Sequence, residues 1–578
     1  MKRSFTFTLG AAMCLAALGG CGTGQPVFTT NHDWSEPLDP ATSNPALWAD
    51  MTRPVASWGS VDVRYPLHEP FAGEIAAEQT LAGWRGERVH AQLVVSTPVE
   101  IGGMVCEVSD LRGESGGTIA GAGGARFVKS VLADYLNPDT MCGGRQPGEP
   151  SRIVADLLDP APSLTAAART TRPVWITVEI PADAAPGLYS GKVRVHGKGF
   201  SETLTLRLEV SGRVLPPPGE WSYHLDLWQH PSSVARVEGV AMWSDAHFDA
   251  MRPVMGMLAG AGQKVITATL NKDPWNNQCF DPYADMITWT RGADGGWTYD
   301  FAVFDRWVEF MLGLGVTRAI NCYSMLPWNN MLHYVDGATG SVVEVKADPG
   351  TPEFRAMWEP FLPAFVAHLR EKGWLEITSI AMDERPLAQM TAVVELLGEV
   401  APELGIALAD SHGMFRQFPH IRDMCASIFG PIDRADIADR RGRGLHTTFY
   451  VCCSSDFPNT YTFSDPAEAV WLAWYAAAMD YDGFLRWSYN SWVEDPIRDS
   501  RFRRWAAGDT YIVYPEGRSS IRFERLREGI QDFEKMRILR GAGLGPEIDA
   551  LLAPFGTDER TPGWNDRLNE ARRAINGM

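Results

Sequence analysis

The sequence predicts a multidomain fold: an N-terminal antiparallel β-sandwich, then a (β/α)8 barrel of the TIM type, then a small helical C-terminal cap. Three observations predict it. A chain of 578 residues is too long for one ordinary hydrophobic core. Apolar and polar residues alternate with period two in its first third. Beyond the proline-rich segment 216–219 the pattern changes to strand, helix, strand, and continues until eight strands are counted.

These patterns divide the chain into five parts. We expect a lipoprotein signal peptide at 1–21, a tether at 22–60, the sandwich at 61–215, the barrel at 220–495 and the cap at 496–578. An open doubly wound sheet is the alternative to the barrel, but eight strand units favour closure.

The N-terminus has the features of an export signal. Lys2 and Arg3 precede an apolar run at 5–18, which is short for a membrane span. The sequence LGGC at 18–21 resembles a lipobox, the cleavage signal of bacterial lipoproteins, in which the cysteine becomes the lipidated first residue. This resemblance implies lipidation at Cys21 and an exported protein of the cell envelope, held to a membrane by its N-terminal lipid alone. The sequence favours neither face of the membrane.

The sandwich is predicted from half-buried strands. Apolar residues alternate with polar ones at 89–95, 174–180 and 204–210, and glycine-rich turns separate such segments. In the barrel, the predicted strands are 223–228, 264–271, 319–325, 377–383, 405–409, 426–429, 447–452 and 483–488. Helices are predicted at 244–260, around 304–311, at 354–369, at 387–400 and from Ser464 or Asp465. After Asp495 we expect a polar helix, a short strand at 510–514, an amphipathic helix at 521–539 and two small helices.

Composition limits the function. A net charge of −19 argues against nucleic acid as a partner. The scattered cysteines and 12 histidines show no metal-ligand spacing, so we expect neither metal nor other cofactor. A disulfide between Cys106 and Cys142 stays open. The 21 tryptophans suit the faces of sugar rings, although large cores also use such residues and half are expected there.

The strongest candidate for chemistry is the pair Asp383 and Glu384. The stretch ITSIAMDERP at 377–386 is an apolar run that stops at these two carboxylates. The carboxyl ends of parallel strands hold the active sites of α/β proteins, and two acids there are costly to bury unless they have partners or a use. The same tripeptide recurs at 558–560, in loop composition without a preceding strand, where we interpret it as solvated surface.

Polar and aromatic residues follow most of the other predicted strands. A ring of amides and aromatics around a carboxylate pair indicates a sugar site, and neither a phosphate-binding glycine loop nor a serine nucleophile motif is found. Trp228 and Trp487 could instead be core residues, and His230 could be an ordinary structural histidine. The predicted substrate-binding residues are Trp228, His230, Asn271, Trp275, Tyr323, Trp328, Tyr450, Trp487, Tyr489 and Asn490.

Several motifs resemble those of glycoside hydrolase family 123, a family that contains exo-acting β-N-acetylgalactosaminidases. They are LWQHP at 227–231, DPWNNQ at 273–278, CYSMLPW at 322–328, AMDER at 381–385 and RWSYNSWVEDP at 486–496. The resemblance covers about residues 60 to 540. It implies a retaining, substrate-assisted reaction in which the 2-acetamido oxygen of the sugar is the nucleophile. It assigns Asp383 to the acetamido N–H and Glu384 to general acid and base catalysis.

The strand ends suggest two further roles, which do not come from the family. Tyr489 or Tyr323 would hydrogen-bond the acetamido oxygen, and Trp487 would form the floor under the sugar. We therefore expect an exo-glycosidase that removes terminal β-linked N-acetylgalactosamine from a glycan or glycolipid. One alternative is a related β-hexosaminidase that prefers N-acetylglucosamine or a sulfated sugar. Another is a non-catalytic glycan-binding surface lipoprotein, for which the loss of one acid would be expected.

Overall fold

The computed structural model describes residues 35–40, 44–114, 116–120, 123–136, 142 and 150–578. The predicted signal peptide, Cys21 and the first part of the predicted tether lie outside these residues. Within the described part, no helix combines the length and apolarity needed to cross a bilayer.

Among the described residues, twelve strands form the N-terminal domain. In chain order they are β1 (Val55–Gly59), β2 (Glu78–Arg85), β3 (Arg88–Thr97), β4 (Ile101–Val108), β5 (Leu111–Gly113), β6 (Thr118–Ile119), β7 (Gly123–Ala133), β8 (Arg152–Asp159), β9 (Leu164–Ala166), β10 (Thr170–Glu179), β11 (Gly187–Gly197) and β12 (Phe200–Val214). One sheet has the order β1-β3-β10-β7-β8 and the other β2-β12-β11-β4-β9, with β5 and β6 beside β11. The predicted sandwich is confirmed, and all its strand pairs are antiparallel except β2 with β12.

The predicted tether ends too late. Residues 55–59 form β1, which pairs with β3, so they belong to the sandwich. Even Glu36 is fixed, because its carboxylate accepts hydrogen bonds from the Ser130 backbone at 2.8 Å and from Arg172 at 2.5 Å. Glu36 and residues 55–59 of the predicted tether are therefore bound to the sandwich.

The second domain contains the other twelve strands. They are β13 (His224–Leu227), β14 (Val265–Thr269), β15 (Thr288–Arg291), β16 (Trp297–Asp300), β17 (Ala319–Tyr323), β18 (Met331–Asp336), β19 (Val342–Lys346), β20 (Thr378–Asp383), β21 (Gly405–Asp410), β22 (Asp423–Ser427), β23 (His446–Tyr450) and β24 (Gly483–Arg486). Eight of them form a parallel sheet in the order β13-β24-β23-β22-β21-β20-β17-β14. The Lys264 backbone N–H donates to the Leu225 carbonyl at 2.9 Å across the remaining seam, so the barrel is nearly closed.

The part of the chain that the structure describes contains ten α-helices, numbered in chain order. They are α1 (Pro231–Glu238), α2 (Asp245–Ala259), α3 (Ala302–Gly313), α4 (Pro352–Lys372), α5 (Leu387–Val400), α6 (Arg434–Gly442), α7 (Pro466–Met479), α8 (Ile521–Gly541), α9 (Gly545–Leu552) and α10 (Trp564–Gly577). Predicted start and stop signals operate as expected: the Ser244 hydroxyl accepts from the His247 backbone, and Gly373 ends α4 at φ 73°. Between β21 and β22 only a single helical turn, Met414–Arg416, connects the strands.

The barrel and cap differ from the predicted elements in three respects. The strands β15, β16, β18 and β19 form a separate four-stranded sheet within the loops after β14 and β17, which the sequence analysis missed. The sixth strand starts at Asp423, three residues before the predicted start, because β22 contains polar residues that the apolar pattern did not indicate. Neither a polar helix after Asp495 nor a strand at 510–514 is present; these residues form turns and isolated bridges.

Helix α8 is buried on nearly all sides, in contrast to the amphipathic cap helix that was predicted. Several of its charged residues are paired with residues of the sandwich. Glu524 accepts from Arg126 at 2.8 Å, and Arg525 donates to Asp62 at 2.6 Å. Because buried charges are paired in this way, α8 joins the barrel to the sandwich, while α9 and α10 form the small terminal cap.

Candidate active site

A cleft of about 240 Å³ opens at the C-terminal end of the barrel strands. This is where barrel proteins place their chemistry. The cleft is lined by Cys142, Trp228, Gln278, Trp328, Asp383, Glu384, Ala409, Tyr450, Cys452, Cys453, Ser454, Leu485, Trp487, Trp505 and Asp509. The predicted carboxylate pair and four of the predicted aromatic residues are therefore brought together.

Asp383 is the last residue of β20 and is fixed by two indole rings. The indole N–H of Trp275 donates to Oδ2 of Asp383 at 2.9 Å, and that of Trp328 donates to its main-chain carbonyl at 3.3 Å. A side chain held by such donors keeps one orientation, and its other oxygen stays available to a ligand.

Glu384 turns back into the cleft because its backbone is left-handed. Its φ is 48°, which is uncommon for a residue other than glycine, and its N–H donates to the Ala409 carbonyl at 2.9 Å. Successive residues of a regular strand point to opposite faces. The turn at Glu384 breaks this alternation, so that Asp383 and Glu384 both line one cleft. The hydroxyl of Tyr450 donates to Oε1 of Glu384.

The carboxylate pair has a perturbed titration. Burial, together with the negative charge of Glu384, raises the pKa of Asp383 to about 8, against the lowering effects of the Trp275 hydrogen bond and the Arg385 charge. Burial also raises the pKa of Tyr450, with the Glu384 charge adding to the effect, so Tyr450 stays a hydrogen-bond donor. The pair consequently retains one proton at neutral pH.

Beneath the carboxylates lies a packed aromatic cluster. The Trp228 ring stacks on Trp275 with centroids 4.7 Å apart, and Tyr323 lies 4.9 Å from each of them. Small residues of β20 and β21 leave room for these rings, among them Ala381 and Ala407. Trp275 and Tyr323 are therefore a support under the cleft, and of the three rings Trp228 also reaches its surface.

Half-buried indoles form the walls. Trp328, Trp487 and Trp505 keep part of their surface exposed in the cleft, and Trp487 meets Trp505 edge to face at 6.1 Å. Exposed indole faces in a cleft offer stacking surfaces for the apolar face of a sugar ring.

Besides Trp275 and Tyr323, which lie beneath the cleft, four predicted substrate-binding residues are absent from its lining. The Asn271 side chain holds the His333 backbone at 2.9 and 3.0 Å, and the Tyr489 hydroxyl donates to the Val254 carbonyl at 2.8 Å. Asn490 accepts from the His230 backbone at 2.9 Å, and the His230 ring stacks on Tyr283 at 3.9 Å. Burial lowers the pKa of His230 to about 3, so it is neutral. These side chains brace the loops after the strands, and direct sugar contact by them, including Tyr489 on the acetamido group, is not supported.

Several residues that line the cleft were not predicted from the sequence. Trp505 and Asp509 come from the segment between β24 and α8, where a polar helix and a short strand were predicted but turns are present. Gln278 lies in the DPWNNQ motif, but its orientation depends on the fold. Cys142 of the sandwich forms a disulfide with Cys453 beside the cleft, and Cys106 is free, so the pairing considered from sequence was wrong.

No group of three or more histidine, cysteine, aspartate or glutamate residues in the described ranges is placed to hold a metal ion. The chemistry available in the cleft is that of three carboxylates, two of them adjacent, together with a tyrosine hydroxyl and indole N–H groups. An eight-stranded barrel with adjacent carboxylates among exposed indoles defines the active site of a glycoside hydrolase.

Comparisons with known proteins agree. Residues 228–539 match the catalytic domain of glycoside hydrolase 123, and residues 58–197 match the N-terminal domain of glycoside hydrolase 123. The chain therefore belongs to glycoside hydrolase family 123. The resemblance in the sequence motifs is confirmed.

Among solved structures, the chain is similar to a family 123 glycoside hydrolase from Clostridium perfringens, studied for its hydrolysis of glycolipid glycans. The TM-score is 0.83 at 27% identity, covering 91% of this chain and 97% of that one. A GH10 xylanase with a bacterial Ig-like domain from termite gut matches with a TM-score of only 0.32 at 10% identity, over 79% of this chain and 100% of that one. No curated protein matches the chain.

Proposed function

We propose that this enzyme removes terminal β-linked N-acetylgalactosamine from glycan or glycolipid substrates by substrate-assisted, retaining catalysis. The observation that carries the proposal is the placement of Asp383 and Glu384 side by side in one cleft. Because Asp383 and Glu384 are adjacent at the end of one strand, one can bind the acetamido group at C2 while the other protonates the glycosidic oxygen next to it. A nucleophile and an acid on opposite faces of the anomeric carbon would require separated carboxylates.

In the first step, the acetamido carbonyl oxygen attacks the anomeric carbon while the bond to the leaving oxygen breaks. Glu384 gives its proton to that oxygen, and Asp383 accepts a hydrogen bond from the acetamido N–H as positive charge develops on the oxazolinium ring. In the second step, water attacks the anomeric carbon and gives its proton to Glu384, and the bond to the acetamido oxygen breaks. Two inversions leave a β-configured product.

The shared proton fits this division of roles. Before substrate binds, burial and the neighbouring charge hold the pKa of Asp383 at about 8. An acetamido N–H that donates to Asp383 stabilises its ionised form, which frees the proton of the pair for transfer to the leaving oxygen through Glu384. Tyr450 donates to Glu384 and orients it. The substrate thereby places the proton where the leaving oxygen needs it.

The stereochemistry of the product tests the proposal. Proton NMR of a reaction of residues 22–578 on an aryl β-N-acetylgalactosaminide follows the anomeric signal of the released sugar. Substrate-assisted catalysis predicts that the β-anomer forms first and mutarotates later. Initial release of the α-anomer would require direct attack by water and would rule out the oxazolinium route. Preference for the N-acetylglucosaminide would keep the mechanism and change the sugar.

We also propose that the enzyme is lipidated at Cys21 and held in the cell envelope. Support comes from the LGGC sequence after a short apolar run. Metabolic labelling with a palmitate analogue in a bacterial host should label the full chain and not its Cys21→Ser variant. Equal labelling of both would contradict the proposal.

A further inference from the structure

The cleft contains a third carboxylate that the proposed reaction does not use. Asp509 lies in the segment between β24 and α8, is 1% exposed and lines the cleft. Its Oδ2 is buried and has no hydrogen-bond partner within the part of the chain that the structure describes. Buried polar atoms are normally paired, because an unpaired one loses its hydration without compensation. A ligand in the cleft that donates a hydrogen bond to Oδ2 would satisfy this carboxylate.

Asp509 is held beside the end of β24. The Arg486 guanidinium donates to the Gly508 carbonyl at 2.7 Å, and the Ile512 N–H donates to the Tyr489 carbonyl at 3.0 Å. The Ser488 hydroxyl also donates to the main chain of this segment, at the Thr510 carbonyl. Both flanks of Asp509 are thus fixed to the residues that follow β24, and its position in the cleft is set by the barrel.

Asp509 and the catalytic pair stand on opposite walls. In the parallel sheet, β24 and β20 are four strand positions apart, with β23, β22 and β21 between them. In the other direction, across the seam between β13 and β14, the strands between them are β13, β14 and β17, so the separation is again four positions. Strands so related face each other across a barrel of eight. A ligand bound between these walls has one end at Asp383 and Glu384 and the other at Asp509.

Asp509 lies near a positive charge, yet its Oδ2 has no hydrogen-bond donor among the described residues. Arg486 is buried nearby, but its guanidinium donates to the Thr460 hydroxyl and to the carbonyls of Ser488 and Gly508. Burial raises the pKa of Asp509 to about 6, while the Arg486 charge and the Trp487 indole lower it. At neutral pH the group is therefore an ionised acceptor, and acceptors of this kind bind hydroxyl groups strongly.

In a pyranose ring, C4 lies across the ring from C1. With C1 and the 2-acetamido group at Asp383 and Glu384, the C4 edge is presented to the opposite wall. We infer that Asp509 accepts a hydrogen bond from the C4 hydroxyl of the terminal sugar and sets the preference between its axial and equatorial orientations. This inference rests on the proposed function, because that function places C1. Trp487, half-buried on the same wall, provides a ring face next to that edge.

The test compares aryl β-glycosides of N-acetylgalactosamine, N-acetylglucosamine and the 4-deoxy sugar. A hydrogen bond to a charged group is worth roughly 1.5–3 kcal/mol, so kcat/KM of the wild type should fall about 10- to 150-fold on the 4-deoxy substrate. Asp509→Asn should lower kcat/KM on the preferred epimer and change it little on the 4-deoxy substrate. The control is Asp495→Asn, which removes an acid from the same segment. The Asp495 carboxylate pairs with Arg498 at 3.1 Å and does not line the cleft.

Two results would overturn the inference. One is a wild type that hydrolyses the 4-deoxy substrate as well as its preferred epimer, a measurement that needs no variant. The other is a folded Asp509→Asn enzyme, with an unchanged melting temperature, that loses the same factor on both substrates.

Failure of the proposed function is a separate outcome. If the wild type hydrolyses no 2-acetamido glycoside, binding of methyl β-N-acetylgalactosaminide and its 4-deoxy analogue is measured by saturation-transfer NMR. Weaker binding of the 4-deoxy sugar, with the difference lost in Asp509→Asn, supports the role of Asp509 without the reaction. Equal binding of the two sugars contradicts it.

Discussion

The Trp275 indole N–H donates to Oδ2 of Asp383 at 2.9 Å, from a ring that is itself stacked on Trp228. The donor is rigid because its ring is packed on several sides, including Tyr283 at 4.5 Å. Asp383 is thus oriented before substrate arrives, and orientation that is already present costs nothing during the reaction.

Replacing this donor should reduce turnover more than binding. In Trp275→Phe the apolar packing largely remains, and only the hydrogen bond to Asp383 is lost, so we expect kcat to fall roughly 10-fold or more with a smaller change in KM. Steady-state kinetics with an aryl β-N-acetylgalactosaminide measures both. Trp289→Phe is the control. Trp289, in β15 of the separate four-stranded sheet, is equally buried, and its indole N–H donates to the Leu270 carbonyl instead of to a catalytic residue. Equal loss of kcat in both variants would indicate a general packing effect.

Loss of the acid should depend on the leaving group. Glu384→Gln keeps the shape of the side chain and removes the proton, and general acid catalysis contributes on the order of 10²–10⁴-fold. We expect a loss of that size on substrates with poor leaving groups, such as an alkyl glycoside. The loss should be smaller with dinitrophenol, which departs without protonation. A uniform loss across leaving groups would assign Glu384 a different task.

The pH profile should report the carboxylate pair. The pKa of Asp383 is raised to about 8, so the proton shared by the pair is present below that pH and is lost as the pH rises through it. Because the first step consumes this proton, kcat/KM should decline above about pH 8. In Asp383→Asn the titrating group is absent, and the decline near pH 8 should disappear along with most of the activity. A decline at the same pH in that variant would assign it to another group.

The link between the sandwich and the cleft should be covalent. Residues 22–578 contain seven cysteines, of which Cys142 and Cys453 are bonded and five are free. Thiol titration of the denatured, unreduced protein should therefore find five thiols, and seven after reduction. Finding seven before reduction would contradict the bond.

Removing that disulfide should lower stability. It joins residues 311 apart, and the loss of a native disulfide typically costs 2–5 kcal/mol in the free energy of unfolding. Cys142→Ser should accordingly lower the melting temperature, whereas Cys106→Ser, which removes a free thiol from the same domain, should change it less. Equal shifts would show that the bond contributes nothing beyond the packing of its thiols.

The sequence predicted the parts of the site that depend on strand ends. Asp383 ends β20 and Trp487 comes directly after β24, and parallel strands of a barrel bring such positions to one rim. Residues further past the strands were harder to predict. Tyr489 and Asn490 have the composition of a sugar site, but both are fully buried and their polar groups bind the main chain of neighbouring segments. Composition alone does not distinguish a ligand contact from a brace.

Other features depend on contacts between distant segments. The left-handed φ of Glu384 has no signal in an Asp-Glu-Arg-Pro sequence, yet it places both acids in one cleft. Asp509 reaches the cleft because its segment is bonded to the residues after β24, without a helix or strand of its own. The Cys142–Cys453 pair joins two domains, so neither spacing nor local pattern could indicate it.

The most direct test of the account is the dependence of hydrolysis on the 2-acetamido group. Purified residues 22–578 are assayed on aryl β-N-acetylgalactosaminide and aryl β-galactoside, which differ only at C2, with Glu384→Gln as the blank. The account predicts release from the first and none above the blank from the second, because the galactoside lacks the internal nucleophile. Comparable hydrolysis of the β-galactoside by the wild type would contradict substrate-assisted catalysis.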